Sequence, residues 1–355
     1  MEKNTPNPIK EYYIAYMDVL GYKAFFKEHP EDIPSLLDSI DDAIKRTIAH
    51  ISSANTSPIV MQMANIHIES KIFSDNILLY METTNSPFEP MRVLFFLQVI
   101  SDIQRGFVIG YGLFLRGGVK RGKMSMNADY VFGQGLIDTV ELEEKIAIYP
   151  RIIVDEELYD YAVGIHYYTQ EEIHWGIPIE DAIKNKQPVS DENMNKYLDL
   201  AFRVRMNGYV QFVACNLIWK WDDGLYFVNY LQRIDPVQMF GNDAVKALKK
   251  QLQVVSPSDY ALVTQQSIDH DACLQQNKIR IEEHLRCYGH NEDIDITDKG
   301  KAIKQAELRE YILKKYIWAM AYHNRFCRST NKMEFYINTE CNCDTRFLKT
   351  IINVK

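Results

Sequence analysis

Two aspartates stand at the ends of strand-like apolar runs, where they could bind metal ions. Asp18 lies in YMDVLGY, and Asp75 lies in KIFSDNILLY. If the two strands are neighbours in one sheet, both carboxylates reach the same edge. Hard oxygen ligands placed there can hold Mg²⁺ or Mn²⁺ against the phosphates of a nucleoside triphosphate. The alternative is that each acid caps a turn, as acids often do.

Four short motifs along the chain resemble those of class III nucleotidyl cyclases. YMDVLGY resembles that family's first-strand motif, and Lys71-Ile-Phe-Ser-Asp75 resembles its K-x-x-G-D hairpin, with Ser74 in place of the Gly. Arg116-Gly-Gly-Val-Lys-Arg-Gly122 is similar to its R-x-G-I-x-x-G strand. Phe132-Gly133, with the helix that ends in Glu141-Leu142-Glu143, is similar to its W-G segment and following helix. The ordered set covers about residues 10 to 160.

The resemblance implies a two-metal active site at a subunit interface. Asp18, Asp75 and the main-chain carbonyl of Val19 are implied to bind two divalent ions, Mg²⁺ or Mn²⁺. One ion would activate the ribose 3′-hydroxyl for attack on the α-phosphorus, the other would hold the triphosphate, and pyrophosphate would leave. A symmetric homodimer is also implied, in which the loop from Arg121 to Phe132 of one chain approaches Asp18 of the other.

The helix that follows Phe132-Gly133 departs from the family pattern. The family has an Asn and an Arg that support the ribose and the transition-state phosphate, and Ile137 and Glu141 align with them. Neither residue can donate a hydrogen bond to a developing negative charge. The protein is therefore inactive, or other cations replace the missing pair. Arg116, Lys120 and Arg121 are the candidates, although each could equally be a solvated surface charge.

The residues that would read the base also differ. The family's purine cyclases use the hairpin Lys and an acid two residues before the Trp; Lys71 is retained, but Tyr130 stands at the place of the acid. Tyr130 and Tyr22 would both narrow the base pocket, so that a one-ring pyrimidine fits it better than a purine. The alternative is that both tyrosines only pack against neighbouring residues. Lys71 could donate to N3 of cytosine while the Tyr130 hydroxyl accepts from its amino group, which favours CTP over UTP.

This divergent pattern, with its helical C-terminal part, resembles the bacterial pyrimidine cyclases of the Pycsar antiphage systems. The resemblance implies that cyclic CMP or cyclic UMP is made as a second messenger and activates a separate effector. Two alternatives stay open. The chain could be a catalytically dead cyclase homologue that binds a nucleotide or partner as a regulator, or a purely structural scaffold.

The order of strand and helix patterns predicts an α+β sandwich with helices on a mixed sheet. The resemblance makes this a class III cyclase-like, ferredoxin-type sandwich with a helical C-terminal extension. We assign residues 1-163 to the catalytic domain, 164-235 to an irregular insertion and the closing strand of the core, and 236-355 to the mostly helical extension. The aromatic residues of its last helix, Tyr316, Trp318 and Tyr322, are expected in the core.

Composition limits the partners of the protein. The 355 residues carry a net charge of -8, which argues against a general nucleic-acid binder. Polar residues interrupt every apolar run before the ~18 residues needed to span a bilayer. The N-terminus also lacks the apolar core of a signal peptide. We therefore expect a cytoplasmic protein that binds neither nucleic acid nor membrane.

Overall fold

The computed structural model describes residues 8–22, 66–84, 89–127, 130–164, 167–232, 257–289 and 299–338, with scattered positions between 30 and 45. Its strands are β1 Lys10–Leu20, β2 Glu69–Phe73, β3 Asn76–Glu82, β4 Phe114–Met126, β5 Val131–Phe132, β6 Ile152–Val154, β7 Ile218–Lys220 and β8 Tyr226–Val228. Its helices are α1 Glu89–Tyr111, α2 Gln134–Lys145, α3 Glu156–Gly164, α4 Gln170–Lys184, α5 Asp191–Leu217, α6 Pro257–Gly289 and α7 Lys299–Thr330.

The described strands form one mixed sheet. Their order is β2-β3-β1-β4-β6-β8-β7, and the short β5 pairs with the end of β4. The pairing of β4 with β6 is parallel, whereas β1 pairs antiparallel with both β3 and β4. The predicted α+β class with helices on a mixed sheet is therefore confirmed, and its ferredoxin-type arrangement stays a prediction. β1 and β3, which carry or adjoin the two aspartates, lie inside the sheet.

Alternation along β1 sends its side chains to two different cores. Tyr13, Ala15 and Met17 are buried with the apolar residues of α1 on one face of the sheet. Tyr12 and Ile14 point to the other face, which α2 covers. Successive side chains of a strand point to opposite faces, so the even-numbered residues of β1, Asp18 included, share the α2 face.

Helix α1 is the most apolar helix of the described part of the chain. By length and hydropathy it could cross a membrane, but 67% of the relevant window is buried inside the structure. Leu94, Leu97, Ile100 and Ile103 pack against the sheet within the larger core cluster. This packing is that of a core helix.

The C-terminal helices α6 and α7 share a core with the α2 face of the sheet. One cluster joins Phe114 of β4 and Leu142 of α2 to Trp318 and Tyr322 of α7. Trp318 and Tyr322 are buried, as predicted, and Tyr316 is partly buried against the same cluster. The helical extension is thus packed directly on the sheet that carries the predicted site.

Some local predictions need correction. The segment from residue 164 to 200, predicted to be irregular, forms α4 and the beginning of α5. Its polar residues lie on solvated helix faces, and a capping box between Thr169 and Glu172 starts α4. β4 continues to Met126, so the connection to β5 is shorter than predicted. Apolar residues at helical spacing also predict a helix from Ile33 to Ile48 and a series of helices after Asp243. The helix from Ile33 to Ile48 and the first helical stretch after Asp243 fall mostly outside the described residues.

Candidate active site

The two aspartates lie at the same end of neighbouring strands. In the antiparallel register of β1 and β3, Asp18 is opposite Asn76, the residue after Asp75. The amide of Val19 donates a hydrogen bond of 2.9 Å to the main-chain carbonyl of Asp75. Ser74, with a φ of 58°, makes the tight turn that returns the chain from β2 to this position. The predicted hairpin with an acid at its tip is therefore present beside the end of β1.

Tyr16 lies within the electrostatic reach of three acids. Burial raises the pKa of its hydroxyl, and the carboxylates of Glu143, Asp18 and Asp75 raise it further. All three carboxylates therefore act on one side chain two residues before Asp18. Asp75 Oδ1 also accepts a hydrogen bond of 3.3 Å from the side-chain amide of Asn76.

Arg116 links Asp18 to an acid of helix α2. It stands opposite Asp18 in the β1–β4 register, and its Nε donates to Asp18 Oδ2 at 2.8 Å. Its Nη2 lies 2.8 Å from Oε1 of Glu143. Burial would lower the pKa of Arg116, but its hydrogen bond to Asp18 and the charge of Glu143 give a net rise. The guanidinium thus stays charged between two carboxylates.

Glu143 is a site residue that the sequence analysis did not predict. Its side chain is only 4% exposed, and burial raises its pKa to about 7, against the opposing effect of Arg116. It lies on the buried side of α2 together with Gly135, Thr139 and Leu142. An acid on this otherwise uncharged helical stripe is the signal that could have identified it.

Glycines explain how α2 comes close enough to β4 for this contact. A Cβ on Gly122 of β4 would lie 2.5 Å from the Cα of Gly135 in α2. Gly133, just before the helix, has a φ of 148°, which side-chain-bearing residues rarely adopt. The glycines of the RGGVKRG and FGQG segments therefore allow close packing of the helix that carries Glu143.

Lys71 and Tyr130 meet at the loop between β4 and β5. Lys71 Nζ donates a hydrogen bond of 2.8 Å to the main-chain carbonyl of Asn127. The amide of Tyr130 donates to Asn127 Oδ1 at 2.9 Å, and its carbonyl accepts from the Asn127 amide at 3.0 Å. The Tyr130 ring is 39% exposed and lies beside that of Phe132. The structure thus brings the two predicted base-reading residues to one loop, and Asn127, which was not predicted, connects them.

Tyr22 lies on the other face of the sheet. It is 7% exposed and belongs to the core cluster that packs on α1. Lys71, by contrast, is opposite Leu78, which packs on the α2 face. The structure therefore does not bring Tyr22 together with Lys71 and Tyr130.

The other two predicted cations point to different faces. Lys120 shares the face of Arg116 and forms an ion pair of 3.1 Å with Asp155. Arg121 pairs with Glu11 at 2.6 Å and lies over the ring of Tyr161, which packs on the α1 side. Arg121 is therefore not brought to Asp18 of its own chain.

The two residues that replace the family's Asn and Arg lie on the solvated side of α2. Ile137 is 53% exposed, and Glu141, 54% exposed, pairs with Lys145. Neither shares the buried stripe of Glu143. They are separated from the Asp18–Arg116 pair by the helix itself.

The donor atoms near Asp18 suit a hard divalent cation. The carboxylates of Asp18 and Asp75 and the carbonyl of Val19 are oxygen ligands of the type that Mg²⁺ and Mn²⁺ prefer. In the described ranges, no group of three or more His, Cys, Asp or Glu side chains could hold a metal ion. Any ion bound here would therefore depend on two carboxylates, with main-chain, substrate or water oxygens completing its shell.

Comparisons with known proteins give matches only among solved structures. No protein-family model and no curated protein matches the chain. The structure of the guanylyl cyclase Cya2 overlaps 47% of this chain and 84% of its own, at 14% identity and a TM-score of 0.33.

A second match is the structure of a class III adenylyl cyclase-like ATP-binding protein from Pseudomonas aeruginosa. It overlaps 45% of this chain and 37% of its own, at 14% identity and a TM-score of 0.27. Such scores describe a partial overlap of backbones. The chemistry of the site therefore depends on its own residues.

Proposed function

We propose that the protein is a nucleotidyl cyclase that converts a nucleoside triphosphate to its 3′,5′-cyclic nucleotide and pyrophosphate. The observation that carries the proposal is the hydrogen bond from the Val19 amide to the Asp75 carbonyl, within the β1–β3 register. This hydrogen bond supports the proposal because it joins Asp75 to the residue after Asp18, at the same end of two neighbouring strands. The side chains of Arg116 and Lys71 both lie on the α2 face of the sheet.

In this proposal Asp18, Asp75 and the Val19 carbonyl hold two Mg²⁺ or Mn²⁺ ions. When bound, these ions would lower the pKa of the ribose 3′-hydroxyl and neutralise the triphosphate. Arg116 has five N–H donors, of which Nε binds Asp18 and Nη2 faces Glu143, so Nη1 is left for a phosphate oxygen. Arg116 would thereby supply charge to the transition state in place of the missing helix Arg.

For the base we propose a pyrimidine, with CTP favoured over UTP. Lys71 is an obligate donor that matches N3 of cytosine, and the Tyr130 hydroxyl can accept from the cytosine amino group. A mismatched base would leave buried polar groups unpaired, which is how hydrogen-bonded sites discriminate. The contact of both residues with Asn127 supports their acting on one ligand.

The further parts of the proposal follow from the motif resemblance. The active form would be a cytoplasmic homodimer in which residues 121–132 of one chain approach Asp18 of the other. Its cyclic nucleotide would activate a separate effector in antiphage defence. Bulky residues exposed around this segment, such as Phe132 and Ile137, suit a surface that a second subunit covers.

A second candidate is a catalytically dead homologue that binds nucleotides as a regulator. The residue types of Ile137 and Glu141 favour it, because neither side chain can donate a hydrogen bond to the transition-state phosphate. The carboxylate partners of Arg116, Lys120 and Arg121 favour it as well, because a phosphate must compete with them. The two candidates predict the same binding but different turnover.

One assay separates the candidates. The protein is incubated with ATP, GTP, CTP and UTP together in Mn²⁺, and pyrophosphate and each cyclic nucleotide are measured. We expect cyclic CMP as the main product and a loss of about 100-fold or more in Asp18→Asn and Asp75→Asn. Asp160→Asn, at an exposed position of α3, is the matched control and should keep full activity.

Each outcome of the assay has a distinct meaning. Nucleotide binding without pyrophosphate release would support the regulator. A dominant cyclic AMP or cyclic GMP product would refute the pyrimidine assignment, and dominant cyclic UMP would refute only the preference for CTP. Full activity in both aspartate variants would refute the proposed site.

A further inference from the structure

Helix α7 contacts β4 beside the group formed by Asp18, Arg116 and Glu143. The ring of Tyr316 lies 5.8 Å from that of Phe114, measured between centroids. Phe114 is two residues before Arg116 and therefore on the same face of the strand. Leu142, next to Glu143 in α2, belongs to the same hydrophobic cluster as Ile317 of α7. The helix thus docks beside the pair formed by Arg116 and Glu143.

Lys315 lies at this border, one residue before Tyr316. Its side chain is partly buried, and its Nζ lies 4.2 Å from the centroid of the Tyr311 ring, one helical turn earlier. Burial raises the pKa of Glu143, and the positive charge of Lys315 is among the groups that lower it. Tyr311 is the smallest of the causes that raise the pKa of Arg116, after Asp18 and Glu143. The electrostatic field of Lys315 therefore reaches the candidate site.

Lys315 differs from the neighbouring cations in its partners. Arg116, Lys120 and Arg121 each form an ion pair with a carboxylate. Among the described residues, no carboxylate lies within ion-pair distance of Lys315, whose ammonium is held over an aromatic ring instead. A cation–π contact positions an ammonium without neutralising it, so Lys315 keeps its charge available to an anion.

We propose that Lys315 binds the triphosphate of the nucleotide, with Tyr311 positioning its ammonium. This inference rests on the proposed cyclase function. It makes helix α7, which carries Lys315, one wall of the active site. The cation that α2 lacks at Glu141 would then be supplied by α7. A lysine here would act on the charge of the phosphates and would contribute little to recognition of the base.

The test compares Lys315→Gln with Lys314→Gln. Both changes remove one charge and keep a good helix former, but Lys314 is exposed and pairs with Glu310. Binding of 3′-deoxy-CTP and 3′-deoxy-CMP, which cannot cyclise, is measured by calorimetry in Mn²⁺, with the adenine pair in parallel. We expect Lys315→Gln to weaken triphosphate binding about tenfold and to change monophosphate binding by less than about twofold. Lys314→Gln should change neither.

The outcomes distinguish the inference from the function on which it rests. Lys315→Arg, which keeps the charge, should retain most of the triphosphate affinity, and melting temperatures of all variants report their folding. Equal triphosphate affinities of the two Gln variants would overturn the role of Lys315 while leaving the cyclase proposal intact. A wild-type protein that binds neither triphosphate would overturn both.

Discussion

The buried imidazole of His323 should make the stability of the C-terminal core depend on pH. His323 is fully buried in α7, where Nδ1 lies 2.9 Å from Asn277 Nδ2 and Nε2 lies 2.9 Å from the Phe335 carbonyl. Asn277 Oδ1 accepts from the Tyr230 hydroxyl at 2.9 Å, which fixes the orientation of the amide. Nδ1 must therefore accept and Nε2 donate. A proton on Nδ1 would face a donor and break the network.

The size of the effect follows from the pKa of this group. Burial is the main cause that lowers the pKa of His323, to about 4 from the ordinary 6.5. The folded state thus favours the neutral ring. The contribution of the neutral His323 ring to the free energy of unfolding is complete above the unfolded pKa of about 6.5. This contribution is lost as pH falls below that value, and the loss is complete near pH 4. Between about pH 7.5 and 4.5 the loss amounts to about 2.5 kcal/mol.

Urea unfolding at a series of pH values, followed by tryptophan fluorescence, measures this loss. Three of the four tryptophans, at positions 219, 221 and 318, lie in or against the core cluster of α6 and α7. His323→Gln cannot take up a proton in this range, so its stability should fall with pH by about 2.5 kcal/mol less than that of the wild type. His174→Gln, at an exposed position of α4, should follow the wild type. Parallel pH profiles for His323→Gln and the wild type would refute the reasoning.

Two further substitutions test the geometry around α2. Glu143→Gln removes the carboxylate that faces Arg116 and should lower kcat about tenfold or more, because the guanidinium is then held less firmly. Glu144→Gln, at an exposed position, should keep wild-type turnover. Equal rates for the two variants would show that Glu143 does not position Arg116. Gly122→Ala would bring a methyl group within 2.5 Å of the facing helix and should cost about 1–3 kcal/mol of unfolding free energy. Gly106→Ala, inside α1, meets open space and should stabilise the protein by about 0.5–1 kcal/mol, because alanine is the better helix former. Unchanged urea midpoints for Gly122→Ala would contradict the close packing of α2 on β4.

Local patterns were sufficient to predict the elements that carry the site. Apolar runs and residue spacing identified the strand that carries Asp18, the hairpin that carries Asp75 and the helix after Phe132-Gly133, because burial of one face constrains the residue type at each step. Asp18 and Asp75 could be identified as candidate site residues because each interrupts an otherwise apolar segment. The insertion was misjudged because α4 is largely solvated, so few apolar residues mark its period.

The partners of each charged side chain were decided only by the tertiary structure. Arg116 faces Asp18 because of the β1–β4 register, and a shift of one residue would place Leu115 or Gly117 opposite Asp18 and turn Arg116 to the other face of the sheet. The contact of Glu143 with Arg116 depends on how closely α2 packs, and the place of Lys315 depends on where α7 docks. These are contacts between residues far apart in the chain, set by register and packing. The sequence by itself therefore determined which residues could do chemistry, and the fold determined which of them meet.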